Sequence, residues 1–307
     1  MKNESLFKDP KAQIKYWPLW LGIAFLWLVG HIPWRMLLWL GRIVGHIAWR
    51  LVVSRREAAR TNIRLCFPEL PAEEQEALAK AAVISTGEAL LEMSGAYFNR
   101  QIDLSKRREF IGREHVEQAV ADGRGVLLLG MHFNTLDVGS RMLGEAMTFS
   151  TVYRPNDNPV LDWMIREGRG TYINHSIERS NIRKVVRLLK KSNEVIWYAP
   201  DQDYGTSNAV YAPFFGVPAA TITATARIAR MSGAAVIPVA HYRMPKGRYI
   251  IEFGEPLEDF PSGDDVADAT RVNSVIEGYV RRMPEQYLWV HRRFKHQPNG
   301  EKFYQQK

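Results

Sequence analysis

Apolar positions fall into three patterns along the chain. The first is a continuous run, WPLWLGIAFLWLVGHIPW at 17–34, whose 18 residues carry no formal charge. As a helix it would extend about 27 Å, barely enough to cross the hydrocarbon core of a bilayer. Trp17, Trp20 and Trp34 sit near its ends, as interfacial aromatics do, and Pro33 breaks or kinks it. No small-residue cleavage site follows, so the pattern argues against a cleaved signal peptide. The second pattern, from Trp34 to Val53, places Arg35, Arg42, His46 and Arg50 roughly on one helical face with Leu, Ile, Val and Trp elsewhere. That predicts a helix lying at a membrane interface, the alternative being a buried hairpin of a soluble protein.

Beyond Arg56 short apolar runs alternate with helical periodicity, without a repeat or low-complexity linker. Strands are predicted at 125–131, 149–153, 194–199, 234–240 and 249–253. Helices are predicted at 71–93, 134–147, 158–169, 180–191, 219–231 and 266–282. The runs are mostly continuous rather than alternating, which suits strands buried on both faces. The expected fold is α/β, a central mixed or parallel sheet flanked by helices, behind an N-terminal hydrophobic membrane helix. Residues 1–53 form the expected anchor and interfacial helix, and 54–307 the catalytic domain. In such sheets ligands bind at the carboxyl ends of the strands.

Composition narrows the function classes only modestly. An apolar fraction of 46% and a charged fraction of 24% describe a globular protein and argue against disorder. One cysteine, Cys66, excludes an internal disulfide and fits a reducing, cytoplasm-facing compartment. A formal charge of +8 points to an anionic partner without choosing among them. Seven arginines fall between 35 and 64 with Glu57 the only acid, directly after the most apolar part of the chain. That placement favours a membrane surface over nucleic acid. Positive-inside counting leaves the orientation open, with Lys2, Lys8, Lys11 and Lys15 before the apolar run and Arg35, Arg42 and Arg50 after it.

The candidate chemistry lies in VLLLGMHFNTLDVGSRML at 126–143. His132 closes a predicted strand, Asn134 or Thr135 can cap the next helix, and Asp137 falls one turn in, able to fold back toward the imidazole. A carboxylate on one ring nitrogen leaves the other as a base near neutral pH, the arrangement that activates serine in hydrolases. Here no G-x-S-x-G elbow occurs, and Cys66 in RLCFPELP reads as a small core residue. The nucleophile is therefore expected to be a substrate hydroxyl, which suits acyl transfer from a thioester. Scattered histidines and a lone cysteine give no metal spacing, and the isolated glycines make no nucleotide loop, so neither metal nor cofactor is expected.

HFNTLD resembles the H-x4-D motif of the lysophospholipid acyltransferase superfamily. The wider chain resembles the late acyltransferases of lipid A biosynthesis, through YWPLWLGIAFLWL, NIRLCFPEL, VYRPNDNPVLDWMIREGRG, WYAPDQDYG, ARMSGAAVIPV and PEQYLWVHRRFK. Several family members carry Glu at the second motif position, where this chain has Asp137. The resemblance implies a glycerolipid acyltransferase-like fold and an enzyme on the cytoplasmic face of a bacterial inner membrane. It would move a fatty acyl chain, with lauroyl favoured over palmitoleoyl or myristoyl, from acyl carrier protein onto a hydroxyacyl chain of a Kdo-bearing lipid A precursor of the Kdo2-lipid IVA type. His132 would take the hydroxyl proton and Asp137 would orient His132, with direct transfer and no acyl-enzyme. Arg154, Arg169, Asp201 and Asp203 match further family motifs. The arginines suit sugar phosphates, Kdo carboxylates or phosphopantetheine, with surface salt bridges as the alternative. Asp201 suits a partner for a basic residue, or a turn former. HRRFK at 291–295 suits phosphates or an acidic carrier, or else a solvated helix end.

Two rival readings remain at this level. One is an acyltransferase of the same superfamily acting on a lysophospholipid or glycerol phosphate. The other is a membrane-anchored, non-enzymatic binding protein for an acidic partner, with the histidine and aspartate serving as packing and cap.

Overall fold

The computed structural model describes residues 15–304, so Lys2, Lys8 and Lys11 lie outside the described residues. Four helices come first: α1 (Trp17–Gly30), α2 (Trp34–Leu51), α3 (Val53–Cys66) and α4 (Ala72–Phe98). The body follows as β1 (Arg108–Ile111), α5 (Arg113–Ala121), β2 (Val126–Leu129), α6 (Leu136–Gly144), β3 (Ser150–Tyr153), α7 (Pro159–Arg169), β4 (Ser176–Glu178), α8 (Ile182–Ser192) and β5 (Val195–Tyr198). A hairpin of β6 (Ala209–Phe214) and β7 (Val217–Ile222) leads to α9 (Ala224–Ser232), β8 (Ala235–Met244), β9 (Arg248–Phe253) and α10 (Asp265–Val280).

The sheet has seven strands in the order β1-β9-β8-β2-β5-β3-β4. Only the β8–β9 pair is antiparallel, so the sheet is mixed. All four residues of β2 and of β5 are buried, as continuous apolar runs require at the centre of a sheet covered on both faces. Along β2, Leu127 and Leu129 join one core with Val185 and Leu189 of α8, Ile228 of α9 and Ile276 of α10. Val126 and Leu128 point the other way, into a core with Val116 of α5, Met142 of α6, Met164 of α7, and Ile23 and Trp34 from α1 and α2. The predicted α/β sandwich is therefore observed. The helix predicted over 219–231 is corrected at its start: residues up to Ile222 complete β7, and the helix begins at Ala224.

The N-terminal run also differs from expectation. Its helix ends at Gly30 after 14 residues, about 21 Å at about 1.5 Å per residue. Among the described residues no single helix is long and apolar enough to cross a membrane; α2 and α3 pass together only as a pair bent by 91°. The bend falls at Val52, beside the boundary expected at residue 53. Helix α2 lies tight against α4, because Gly41 and Gly45 face Gly87; a Cβ on Gly87 would sit 2.4 Å from the Gly45 nitrogen. Charge reinforces the contact. Arg42 Nε reaches Glu88 Oε1 at 2.6 Å, and the buried Arg243 of β8 reaches Glu88 and Glu92 at 2.6 Å each. Both carboxylates are thereby paired, which removes the large cost of a lone buried charge. Outward, Trp17, Leu21, Phe25 and Leu28 of α1 and Met36, Trp39, Ile43, Ile47 and Leu51 of α2 are exposed. So large an apolar surface on two adjacent helices marks an interaction face.

Candidate active site

The end of β2 places His132. After Leu129 the chain passes Gly130, where a Cβ would meet the Trp197 ring at 2.2 Å, so only glycine lets β2 end against that indole. The backbone at 132–134 is then held by the C-terminal segment: Leu288 donates to the His132 carbonyl at 3.0 Å and Asn134 donates to the Gln286 carbonyl at 2.7 Å. His132 is thus fixed at the carboxyl edge of a central strand, where its ring stands edge-on to Trp197 at 6.0 Å.

Its carboxylate partner is Asp201, beyond the end of the adjacent β5. His132 Nδ1 donates to Asp201 Oδ1 at 2.6 Å, and the His132 backbone N–H donates to Oδ2 at 2.8 Å. Tyr287 donates its hydroxyl to the same Oδ2 at 2.9 Å. Burial would raise the Asp201 carboxyl, but the imidazole, these hydrogen bonds and the phenol bring it down to about 2. Burial pushes the Tyr287 phenol well up, so it remains a donor. An ionised Asp201 only accepts, which puts the proton of a neutral imidazole on Nδ1 and leaves Nε2 as the basic nitrogen. Nε2 has no hydrogen-bond partner among the described residues, and the side chain keeps 18% of its surface exposed.

Asp137 takes a different position from the one expected. It lies in the first turn of α6, where its Oδ1 accepts from Arg169 Nε at 2.9 Å and Nη2 at 2.7 Å and from the Tyr97 hydroxyl at 2.6 Å. Its recorded hydrogen bonds go to these groups, and the imidazole of His132 is held by Asp201 instead. Burial would lower the Arg169 guanidinium, and the Asp137 carboxylate more than offsets that, keeping it charged. Two contacts, the His132–Asp201 hydrogen bond and the Asp137–Arg169 ion pair, thus replace the single pair inferred from spacing.

The remaining candidates separate. Arg154, just past β3, makes an exposed contact with Asp157 at 3.3 Å. The Asp203 side chain is enclosed, accepting from His296 Nδ1 at 2.7 Å and the His296 backbone at 3.0 Å, while the Asp203 N–H donates to His291 Nε2 at 3.1 Å. HRRFK is not a solvated helix end: Arg293 is buried, donating to the Ala220 carbonyl at 2.7 Å and to Thr221 Oγ1 at 2.8 Å. Burial brings the neighbouring His291 down to about 4, so it is neutral at ordinary pH. Cys66 is buried and its thiol is pushed up by burial, which makes it inert as a nucleophile.

Sequence reasoning missed Tyr287 and His241. His241 of β8 lies beneath the site, accepting through its carbonyl from Thr135 Oγ1 at 2.7 Å. Gly139 of α6 makes room for its ring, since a Cβ there would fall 2.7 Å from it. Burial brings His241 down to about 4. Tyr287 sits in PEQYLWVHRRFK, a segment already marked by its motif but not by any spacing to His132.

A mixed sheet carrying a carboxylate-held histidine at its carboxyl edge defines the class: an α/β protein equipped for general-base chemistry. Residues 6–296 match the bacterial lipid A biosynthesis acyltransferase family, and the chain belongs to it. It is 39% identical to the lipid A biosynthesis lauroyltransferase of Escherichia coli over 98% of each chain. It is 37% identical to the palmitoleoyltransferase of the same organism over 94% of each. The E. coli lipid A biosynthesis myristoyltransferase is 26% identical over 96% of this chain and 91% of that protein.

Proposed function

We propose that this lipid A acyltransferase moves a fatty acyl group, lauroyl by preference, from acyl carrier protein to a hydroxyacyl chain of a Kdo2-lipid IVA-type precursor. Lauroyl is favoured because the lauroyltransferase relative matches at the higher identity over nearly the full length of both chains. The observation that carries the chemistry is the His132 ring, tied through Nδ1 to Asp201 with Nε2 left free at the carboxyl edge of β2.

His132 Nε2 takes the proton of the acceptor hydroxyl as its oxygen attacks the thioester carbonyl. The C–S bond then breaks, and the imidazolium returns the proton to the departing thiolate, giving an ester and a free thiol. Asp201 holds the ring in the tautomer this requires and stabilises the imidazolium. Asp137 acts at one remove, clamping Arg169 and Tyr97 around the first turn of α6, and Arg169 offers a fixed positive charge to an anionic group of the substrate. The exposed apolar side chains of α1 and α2 support attachment to the cytoplasmic face of the inner membrane, where the lipid acceptor resides.

Direct transfer predicts that both substrates are bound together. Initial rates over a matrix of lauroyl-loaded carrier protein and Kdo2-lipid IVA should give intersecting lines. Mass spectrometry of enzyme incubated with the thioester alone should find no acylated residue. Parallel lines, with an acyl group trapped on a side chain at the rate of turnover, would reject the mechanism.

A further inference from the structure

A dense, one-sided stretch of positive charge lies on and just before α8. Between 179 and 193 the sequence RSNIRKVVRLLKKSN carries Arg179, Arg183, Lys184, Arg187, Lys190 and Lys191 and no acid. Helix α8 buries Val185 and Leu189 against the sheet and turns Arg183, Arg187, Lys190 and Lys191 to solvent. None of the five α8 cations makes an ion pair among the described residues. The exposed Arg227 of the neighbouring α9 extends the same face, again without an ion pair. An unpaired set of this size is held together against its own repulsion and costs stability unless an anion meets it.

We infer that the basic face of α8, extended by Arg227 of α9, is the docking surface for the acidic protein that carries the acyl thioester. The inference rests on the donor reading proposed above. Two observations select this occupant. Helix α8 follows β4 in a parallel part of the sheet, so its first turn lies at the carboxyl edge, the edge that carries His132. Just before that turn, the Arg179 guanidinium lies 5.6 Å from the centre of the Tyr204 ring, whose hydroxyl donates to the Ala199 carbonyl at 3.2 Å, in the loop that carries Asp201. A protein seated on α8 therefore has one end at the site. The second observation separates it from the bilayer. Val185 and Leu189 pack into the core on the Leu127/Leu129 face of the sheet, whereas Ile23 of α1 packs into the core on the Val126/Leu128 face. A membrane against the exposed side of α1 lies across the sheet from α8. Trp49 of α2 and Ile63 of α3 do reach the core on the α8 side, but α8 presents cations rather than apolar side chains to solvent, which suits a soluble acidic partner.

The test is the triple charge reversal Arg183→Glu/Arg187→Glu/Lys190→Glu, assayed with lauroyl-loaded acyl carrier protein and with lauroyl-pantetheine, Kdo2-lipid IVA being the acceptor in both. The variant should raise KM for the carrier-borne donor tenfold or more and flatten its salt dependence. Turnover of the pantetheine thioester, which has no protein to dock, should stay within twofold and serves as the folding control. If the wild type uses the carrier-borne donor and the variant keeps its KM, the face is wrongly assigned while the donor reading stands. If the wild type turns over only the small thioester, the donor reading and the docking face fall together. Loss of sedimentation with anionic phosphatidylglycerol vesicles, or of duplex DNA binding, with the carrier KM unchanged would overturn the assignment in favour of those partners.

Discussion

Asp201 and Asp203 stand two residues apart and hold two histidines in the same manner. In each pair one carboxylate oxygen accepts from the imidazole Nδ1, at 2.6 Å for His132 and 2.7 Å for His296, and the other accepts from the backbone N–H of that same histidine. Asp201 and Asp203 are both fully enclosed at the side chain, and both rings reach solvent. The difference lies in what carries each ring. His132 ends a central strand, at the edge where parallel sheets collect ligands, with Asp137 and Arg169 on the helix that follows and the helix beyond it. His296 lies in the irregular C-terminal segment, where its pair fastens that segment to the loop after β5. A histidine held by a carboxylate is thus no signature of catalysis by itself; its place in the sheet decides.

The largest expected effect breaks the first pair. His132→Ala should lower turnover by at least about 10²-fold, within the about 10²- to 10⁴-fold range of a positioned base, while leaving the fold intact. Asp201→Asn keeps the shape but no longer fixes the tautomer, and turnover should fall by about 10²-fold. Asp137→Ala should fall by less, about tenfold, because its contact with the base is indirect. Circular dichroism of each variant checks folding. If Asp137→Ala cost more turnover than Asp201→Asn in folded protein, the carboxylate that matters to His132 would be Asp137 after all.

Much of this comparison was open to inspection in the residues, and the rest was hidden for definable reasons. The continuous runs around Leu128 and Trp197 announce strands buried on both faces, and His132 follows one of them. The edge strands β1 and β4 alternate exposed positions with partly buried or buried ones over only three or four residues, too few for a period to register. The partner of His132 was misplaced because local spacing favours Asp137, five residues on, over Asp201, 69 residues on. Neighbourhood along a chain is a weak guide across a parallel sheet, where adjacent strands are separated by whole helices. The ion pair from Arg42 Nε to Glu88 on α4 was equally hidden, because the contact depends on the glycine crossing of α2 and α4.

A third histidine sharpens the contrast in a different variable, pH. His241 is buried with a pKa of about 4, below its ordinary value near 6.5, because burial disfavours the charged ring. Above pH 6.5 the folded and unfolded states are both neutral at this site and stability is complete. As pH falls toward 4 the unfolded chain takes up a proton that the folded chain refuses, so stability is lost. Between pH 6.5 and 5 the loss should be about 2 kcal/mol. His291, lowered to about 4 as well, adds to the same slope. Asp201 acts in a lower window: its stabilisation is full above about pH 4 and fades as pH drops to about 2. Urea titrations at pH 7 and pH 5 measure the slope, and His241→Gln should flatten it. An unchanged slope in that variant would mean that His241 does not titrate on unfolding as its burial requires.

The smallest effect on turnover belongs to the second pair. Removing the ring with His296→Ala takes one hydrogen bond from Asp203, which keeps those from the His296 backbone and from the Gly205 N–H at 2.9 Å. A buried carboxylate deprived of one charged or polar partner typically costs about 1–2 kcal/mol. The C-terminal segment should loosen by that amount, read as earlier hydrogen exchange at residues 291–297. Yet Tyr287 and Leu288, which reach Asp201 and the His132 carbonyl, lie upstream and have their own bonds. Turnover should therefore remain within about threefold of the parent, against the hundredfold loss at His132. A comparable loss in both variants would show that the two pairs work as one unit, with the C-terminal segment transmitting the position of Asp203 to Asp201 through Gln202, the one residue between them.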